Sequence, residues 1–235
     1  MQISVMSFNV QHFSEFHSKK IDYPLFAEAI RSTGADVVGL NETYAEGSVF
    51  RKKAQAETVA QALGWHWYFA EAIRLRQGGY GNSIISKYPL TNARTVPIPD
   101  PKPRRYKGYY ETRCVLRCTA QTEEGPLEFA VTHFGLNPDE QKNAVDTVSG
   151  LILPERFVLM GDFNVRPGNP ALSPIRDRLA DTADAPGGNR PTFPADAPDR
   201  KIDYIFVSKD VRVLSADVPE LVVSDHRPYL ARIEI

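Results

Sequence analysis

The order of elements in the sequence predicts an α/β fold, a four-layer α/β/β/α sandwich in which two β-sheets pack together and helices cover their outer faces. Three observations carry this. Short β-rich runs dominate the 235 residues; a few amphipathic helices interrupt them; and the polar residues suited to chemistry fall at the ends of apolar runs from one end of the chain to the other.

The elements follow in order. Ile3 to Val10 alternates as a strand, and Tyr23 to Thr33 then places Leu25, Phe26, Ala29 and Ile30 on one helical face, with Gly34 as the C-terminal stop. Asp36 to Leu40 resumes as a strand and Ala54 to Leu63 reads as a second helix. Further strands are expected at Trp65 to Ala70, Asn82 to Ser86, Cys114 to Thr119 and Leu127 to Thr132. Pro138, Asp139 and Glu140 give a third helix favourable first-turn chemistry, and Ala144, Val145, Val148, Leu151 and Ile152 form its apolar stripe. Phe157 to Met160, Ile202 to Val207, Val211 to Leu214 and Pro228 to Ile235 are the late strands.

Composition bounds the function. A hydrophobic content of 42% and a charged content of 24% are those of an ordinary globular chain. With no Gly/Ser linker, charge block or repeat, a single domain over 1–235 is expected. Lys plus Arg total 28 against 29 for Asp plus Glu, so no basic excess announces nucleic-acid binding, and any nucleic acid would be held locally. The N-terminus lacks the pattern of a signal peptide and no stretch approaches a membrane span, so a cytoplasmic monomer is the default expectation. Cys114 and Cys118 lie four apart in a predicted strand, too distant for a disulfide, and are expected as buried free thiols.

The strongest local signal is Val158 to Asn164, an apolar strand that ends in Gly161 and delivers Asp162 and Asn164 on alternate positions, both toward one side. A carboxylate that polarises water beside an amide that orients it is what phosphoryl hydrolysis needs; a plain turn explains the same residues equally well. Ser224-Asp225-His226-Arg227-Pro228 breaks the tie by adding a second acid beside an imidazole. Asp203, inside the apolar strand after Arg200, would be costly unpaired, and His226 is the partner that it calls for.

The series Met6 to Val10 (MSFNV), Asn41 to Thr43 (NET), Gly79 to Leu90 (GYGNSIISKYPL), Thr132 to Gly135 (THFG), Gly161 to Asn164 (GDFN), Ile202 to Ser208 (IDYIFVS) and Ser224 to Pro228 (SDHRP) resembles, in order and over essentially the whole chain, the motifs of the endonuclease/exonuclease/phosphatase family. The resemblance implies two mixed sheets and a divalent-metal-dependent hydrolase of phosphate esters. It implies Glu42 as the principal metal-binding carboxylate, with Asn9 and Asp225 near the ion or its waters, a set suited to Mg²⁺ or Mn²⁺. It implies Asp162 and Asn164 at the attacking water, His226 held by Asp203 at the phosphate, His133 on the leaving-group or phosphate side, and Asn82 and Arg113 near that pocket. Read as structure alone, Asn9 is a cap, Asn82 a turn residue and Arg113 a strand-end ion pair. His12, His17 and His66 match no chemical position and are expected at the surface or in packing. Asn41 departs from the family, where Gln commonly precedes the metal-binding Glu; the amide is kept and its reach shortened.

Substrate is less sharply marked. Lys102, Arg104, Arg105 and Lys107 interleave with Tyr106, Tyr109 and Tyr110, a combination that grips a polyanionic backbone and stacks on bases, or that makes a solvated, Pro-stiffened loop. The family's abasic-site repair enzymes usually carry a Trp-containing stretch where this chain has Thr192-Phe193-Pro194. That segment and His133 are more similar to the nuclease I-like, sphingomyelinase-like and small phosphodiester-cleaving branches. A phosphodiesterase or phosphatase is therefore the leading expectation, a DNA or RNA nuclease the second, and a catalytically silent binding protein the third. Intact acids, amides and histidines at every matched position argue against the last.

Overall fold

The computed structural model describes residues 1–47, 53–76 and 78–235. Its organising units are two strand–helix–strand crossovers, one in each sheet. In the first, β1 (Gln2–Asn9) runs through α1 (Tyr23–Thr33) into the parallel neighbour β2 (Val37–Tyr44). In the second, β7 (Gly125–His133) runs through α3 (Pro138–Ser149) into the parallel β8 (Phe157–Asp162).

All other pairings are antiparallel, so both sheets are mixed. Around β1 and β2 the first sheet adds β3 (His66–Leu75), β4 (Gly78–Ser86), β11 (Arg212–Asp217) and β12 (Tyr229–Glu234) in the order β11-β12-β1-β2-β4-β3. Around β7 and β8 the second adds β5 (Leu90–Pro97), β6 (Cys114–Thr122), β9 (Leu179–Asp181) and β10 (Asp203–Ser208) in the order β5-β6-β7-β8-β10-β9. Helix α2 (Gln55–Leu63) lies beside α1, and the short α4 (Ser173–Arg176) beside α3.

Period-two alternation sorts the side chains into layers. Ile3 and Val5 of β1, Phe129 and Val131 of β7, Val158 and Met160 of β8, and Ala231 and Ile233 of β12 face the other sheet and share one core. Met6, Phe8, Val38 and Leu40 face outward beneath α1 and α2. Leu159, Tyr204 and Phe206 face outward beneath α3 with Ala144, Val145 and Val148. The result is the four-layer α/β/β/α sandwich expected from the sequence, with three apolar interfaces.

Helix α1 has the expected bounds because both ends are capped: Asp22 accepts the Leu25 N–H at 3.0 Å, and Gly34 takes the left-handed conformation at φ 70°. Helix α3 stops at Ser149, before Leu151 and Ile152, yet Ile152 stays in the same core and Leu151 packs against it. Cys114 and Cys118 are buried, free, and in the core between the sheets. Among the described residues no helix is long and apolar enough to cross a membrane.

A candidate active site at the rim between the sheets

Because β1 and β2 run parallel, as do β7 and β8, all four C-terminal ends lie where the two sheets meet at one rim. The apolar alternation then gives way to polar residues on the same inner faces: Asn9 follows Val5, Asn41 follows Val37, His133 follows Val131, Asp162 follows Met160, and Asp203 precedes Ile205. Polar ends at the carboxyl edge of parallel strands are where open α/β sheets bind ligands.

Asp162 is the centre. Its Oδ2 accepts from Asn9 Nδ2 at 3.2 Å and stands 3.4 Å from His133 Nε2 and 3.7 Å from His226 Nε2, while Oδ1 accepts the Asn164 N–H at 2.9 Å. Asn164 takes the left-handed conformation at φ 50°, which swings its Nδ2 back to donate to the Phe134 carbonyl at 3.0 Å, beside His133 Nε2 at 3.2 Å. Gly161 lets β8 come this close: at φ 150° it would bring a Cβ to 1.8 Å from the Thr132 carbonyl oxygen. Burial raises the pKa of Asp162 to about 7, with the nearby Asp203 adding to the rise and His226 opposing it.

His226 Nδ1 lies 2.9 Å from Asp203 Oδ2, the pair that the sequence called for. Burial alone would favour the neutral ring, but Asp203, Asp162 and Asp225 outweigh it and push the pKa up to about 10. Thr192 Oγ1 donates to the same Asp203 oxygen at 2.5 Å, and the Phe193 ring lies 4.7 Å from the imidazole, centroid to centroid. The Thr192-Phe193 stretch thus braces the pair. Lys201 donates to the Asp203 carbonyl at 2.8 Å from a pocket under the Tyr229 ring, and burial lowers its pKa to about 8.

His133 has the opposite electrostatics. Arg113 Nη1 sits 3.0 Å from its Nδ1, and since a guanidinium only donates, Nδ1 accepts and the ring proton is on Nε2, facing Asp162. Burial, then the positive charges of Arg113 and His226, hold its pKa well below the usual histidine range. Arg113 is itself paired with Glu111 at 2.5 Å, so it is at once the expected ion pair and a neighbour of the site.

On the other flank, Glu42 occupies an irregularity of the β2–β4 ladder between Leu40 and Thr43, with φ 60°. Strict alternation would turn it outward with Leu40; the bulge re-aims it so that Oε1 accepts from Asn9 Nδ2 at 3.0 Å. Asp225 Oδ2 accepts from Gln11 Nε2 at 3.0 Å, and Gln11 N–H donates to Asn9 Oδ1 at 3.2 Å, so Asn9 is a cap as well as a site residue. Burial raises the pKa of Asp225, and the Glu42 charge adds to the rise, opposed by His226. Glu42 and Asp225, the Asn9 amide that joins them through Gln11, and the buried Gln11 Oε1, which finds no donor among the described residues, offer oxygens suited to a hard divalent cation. Asp162, Asp203 and His226 also offer atoms within 4.8 Å of one another, but a protonated imidazole bound through Nδ1 to Asp203 has no lone pair for a metal.

Asn82 lies beneath the site: its Oδ1 accepts from Asn41 Nδ2 at 2.8 Å and its Nδ2 donates to the Cys114 carbonyl at 3.0 Å. It is a buried strand residue, not a turn. Of the cationic segment, Arg104 stacks on the Tyr110 ring at 4.9 Å, and Tyr110 donates to Asp139 at the start of α3. The Arg105 backbone N–H donates to the same carboxylate at 3.1 Å. Tyr109 is 69% exposed, with its hydroxyl 3.2 Å from the Glu111 that pairs Arg113. His12, expected at the surface or in packing, is half-buried between the Tyr44 and Tyr80 rings and also lies against Glu42, with Nδ1 3.1 Å from the Glu42 carbonyl oxygen.

An α/β/β/α sandwich that delivers acids, amides and imidazoles from both sheets to one rim is a phosphoesterase scaffold. The chain belongs to the endonuclease/exonuclease/phosphatase family, whose profile matches residues 6–226. Among solved structures it is similar to an endonuclease/exonuclease/phosphatase from Beutenbergia cavernae DSM 12333, at 25% identity and a TM-score of 0.85 over 100% of this chain and 72% of that one. It is also similar to a mannosyl-6-phosphatase of Bacteroides thetaiotaomicron VPI-5482, at 16% identity and 0.77 over 99% and 100%. The human Nocturnin catalytic domain with bound sulfate anion is similar at 17% identity and 0.70 over 99% and 93%. No curated protein sequence matches the chain.

Proposed function

We propose that the protein is a divalent-metal-dependent hydrolase of phosphate esters, a phosphodiesterase or phosphatase in which water attacks phosphorus directly. The observation that carries the reading is the geometry at Asp162, whose Oδ2 lies 3.4 Å from His133 Nε2 and 3.7 Å from the Nε2 of a His226 fixed by Asp203 at 2.9 Å, with burial raising Asp162 to about 7 and the surrounding carboxylates raising His226 to about 10. A base matched to neutral pH beside an imidazolium is a pairing suited to proton abstraction and phosphoryl-charge stabilisation.

In this reading Asp162 takes the proton of the attacking water, and Asn164 orients that water. His226, fixed by Asp203, directs its Nε2–H at a phosphoryl oxygen; the 3.7 Å to Asp162 is too long for a hydrogen bond and leaves that donor unspent. His133 presents a neutral N–H on the other side, with Arg113 behind it. Glu42, Asn9 and Asp225 would hold Mg²⁺ or Mn²⁺, which supplies charge against the developing phosphoryl anion and acidifies water. The same residues suit a DNA or RNA nuclease, and the exposed arginine segment, in which Arg104 stacks on Tyr110 and Arg105 is held only through its backbone N–H, does not separate the two readings.

The test is hydrolysis of an activated diester, a monoester, plasmid DNA, RNA and a phospholipid head group by purified protein with Mg²⁺ or Mn²⁺. Turnover of a small ester that chelator abolishes and Mg²⁺ restores is expected. Undiminished activity after rigorous metal removal would sink the metal-dependent reading.

A further inference from the structure

We propose that His12 is a nitrogen ligand of the divalent cation, joining Glu42, so that this site prefers transition-metal cations such as Mn²⁺ over Mg²⁺. The inference rests on the metal-dependent reading above. The Glu42 carbonyl oxygen, 3.1 Å from His12 Nδ1, can only accept, so Nδ1 is a donor and the lone pair of the ring in its metal-binding form is on Nε2. That nitrogen faces Glu42 Oε2 at 3.8 Å, beyond hydrogen-bond reach. Two electron-pair donors are thus turned toward each other with no proton shared between them. An imidazole whose second N–H is tied to a backbone carbonyl is the arrangement that orients metal-bound histidines.

The placement is built, not incidental. Gln11, His12 and Phe13 are three consecutive left-handed residues, at φ 41°, 61° and 60°. Such a turn persists only where its surroundings over-determine it. Here Phe13 is buried 5.2 Å from the Phe26 ring, Gln55 Nε2 donates to the His12 carbonyl at 2.8 Å, and Tyr44 and Tyr80 flank the imidazole at 4.8 and 5.6 Å. Imidazole is a better ligand for transition metals than for Mg²⁺, for which oxygen sets suffice.

The bland alternative is an imidazolium that merely neutralises Glu42. Pulsed electron paramagnetic resonance of the full chain loaded with Mn²⁺ separates the two, because a bound imidazole imprints a ¹⁴N coupling. His12→Asn is the variant of choice, since Asn tolerates the left-handed conformation. We expect the coupling in the wild type and its loss in His12→Asn, with Mn²⁺ still bound and the ratio of Mn²⁺ to Mg²⁺ affinity, from calorimetric titration, lowered roughly ten-fold. Absence of the coupling in the wild type, its persistence in His12→Asn, or an unchanged ratio would overturn the proposal. Failure of the wild type to bind Mn²⁺, or binding that Glu42→Gln leaves intact, would overturn the metal-dependent reading and this inference together.

Discussion

Asp162 and Asp203 stand directly opposite one another across the β8–β10 ladder, two buried carboxylates on one face of the sheet. Like charges so placed repel. The imidazole of His226 answers both, with Nδ1 2.9 Å from Asp203 and Nε2 3.7 Å from Asp162. If Asp203 serves to orient and charge that ring, Asp203→Asn and His226→Ala should each lower kcat by about 10³ to 10⁴. The double variant should be little worse than His226→Ala alone, since residues acting as a unit are non-additive. Additive losses, or near-normal turnover with only a lowered melting temperature, would make Asp203 a structural acid.

The same pair sets the pH profile. If turnover runs by the proposed mechanism, with Asp162 ionised and His226 protonated, kcat/KM should rise with pH through about 7 and fall through about 10. A cation bound at Glu42 favours the carboxylate and moves the acid limb downward. Asp203→Asn removes charge from beside the imidazole and should bring the alkaline limb down as well. Profiles from pH 5 to 11 on one small diester, with and without that substitution, test both shifts.

Burying Asp162 carries a stability cost of definite sign. Its pKa rises from 3.8 to about 7 on folding, so the fold favours the neutral acid, an advantage fully present below about 3.8 and lost as pH rises through 7. Asp162→Asn should therefore raise the melting temperature at pH 8 by on the order of a few °C while abolishing turnover, with little difference near pH 4. An equal shift at both pH values would refute the desolvation account.

The sequence patterns that were legible are those with one period and clear ends. Leu25, Phe26, Ala29 and Ile30 ahead of the Gly34 stop mark α1 with the bounds observed, Tyr23–Thr33. β5 was not foreseen because it is an edge strand whose residues are mostly exposed or half-buried, so no apolar alternation marks it. β4 begins four residues before the expected Asn82 because glycines hide its start; Gly81 is required there, since a Cβ would stand 2.1 Å from the Ala70 carbonyl oxygen. Within the site, acids and amides that end apolar strands were readable as such. The position of His12 beside Glu42 was not, because it depends on a run of left-handed residues that neither helical nor strand periodicity encodes. The bracing by Thr192 and Phe193 was equally hidden, since it exists only once β10 and the segment before β12 have met.

The loop from Pro99 to Tyr110 should divide by residue. Arg104 stacks on Tyr110 and Arg105 is tied by its backbone, whereas the Tyr109 hydroxyl reaches Glu111, one link from Arg113 and His133. Tyr109→Ala should raise KM for a bulky phosphate ester several-fold and change kcat for a small one little. Arg104→Ala together with Arg105→Ala should raise KM only for a polyanionic substrate. Equal losses on large and small substrates would place the loop in the chemistry rather than in substrate choice.

Asn41 offers the sharpest separation of scaffold from chemistry. Its Nδ2 donates to Asn82 Oδ1 at 2.8 Å and to the Thr132 carbonyl at 2.9 Å, and its Oδ1 accepts the Asp162 N–H at 2.9 Å, so one buried amide joins β2 to β4, β7 and β8 across both sheets. It touches neither a carboxylate nor an imidazole of the site in these bonds. Asn41→Ala strands two buried acceptors and a buried donor, each worth about 1–3 kcal/mol when left unpaired, and should lower the melting temperature by on the order of 10 °C. Asn41→Asp keeps the shape but replaces the Nδ2 donor by an acceptor facing Asn82 Oδ1 and the Thr132 carbonyl, and adds a charge beside Asp162; its loss of stability should be at least as large at pH 8. Asn41→Gln restores the amide with a longer reach and should fold with an intermediate loss, because Asn41 is fully buried and an added methylene overpacks its surroundings. If the amide supports the site only through the scaffold, Mn²⁺ affinity in the folded fraction of Asn41→Gln should stay within a few-fold of wild type while kcat falls in step with any displacement of Asp162. A large loss of Mn²⁺ affinity at unchanged stability would instead make Asn41 a direct support of the cation.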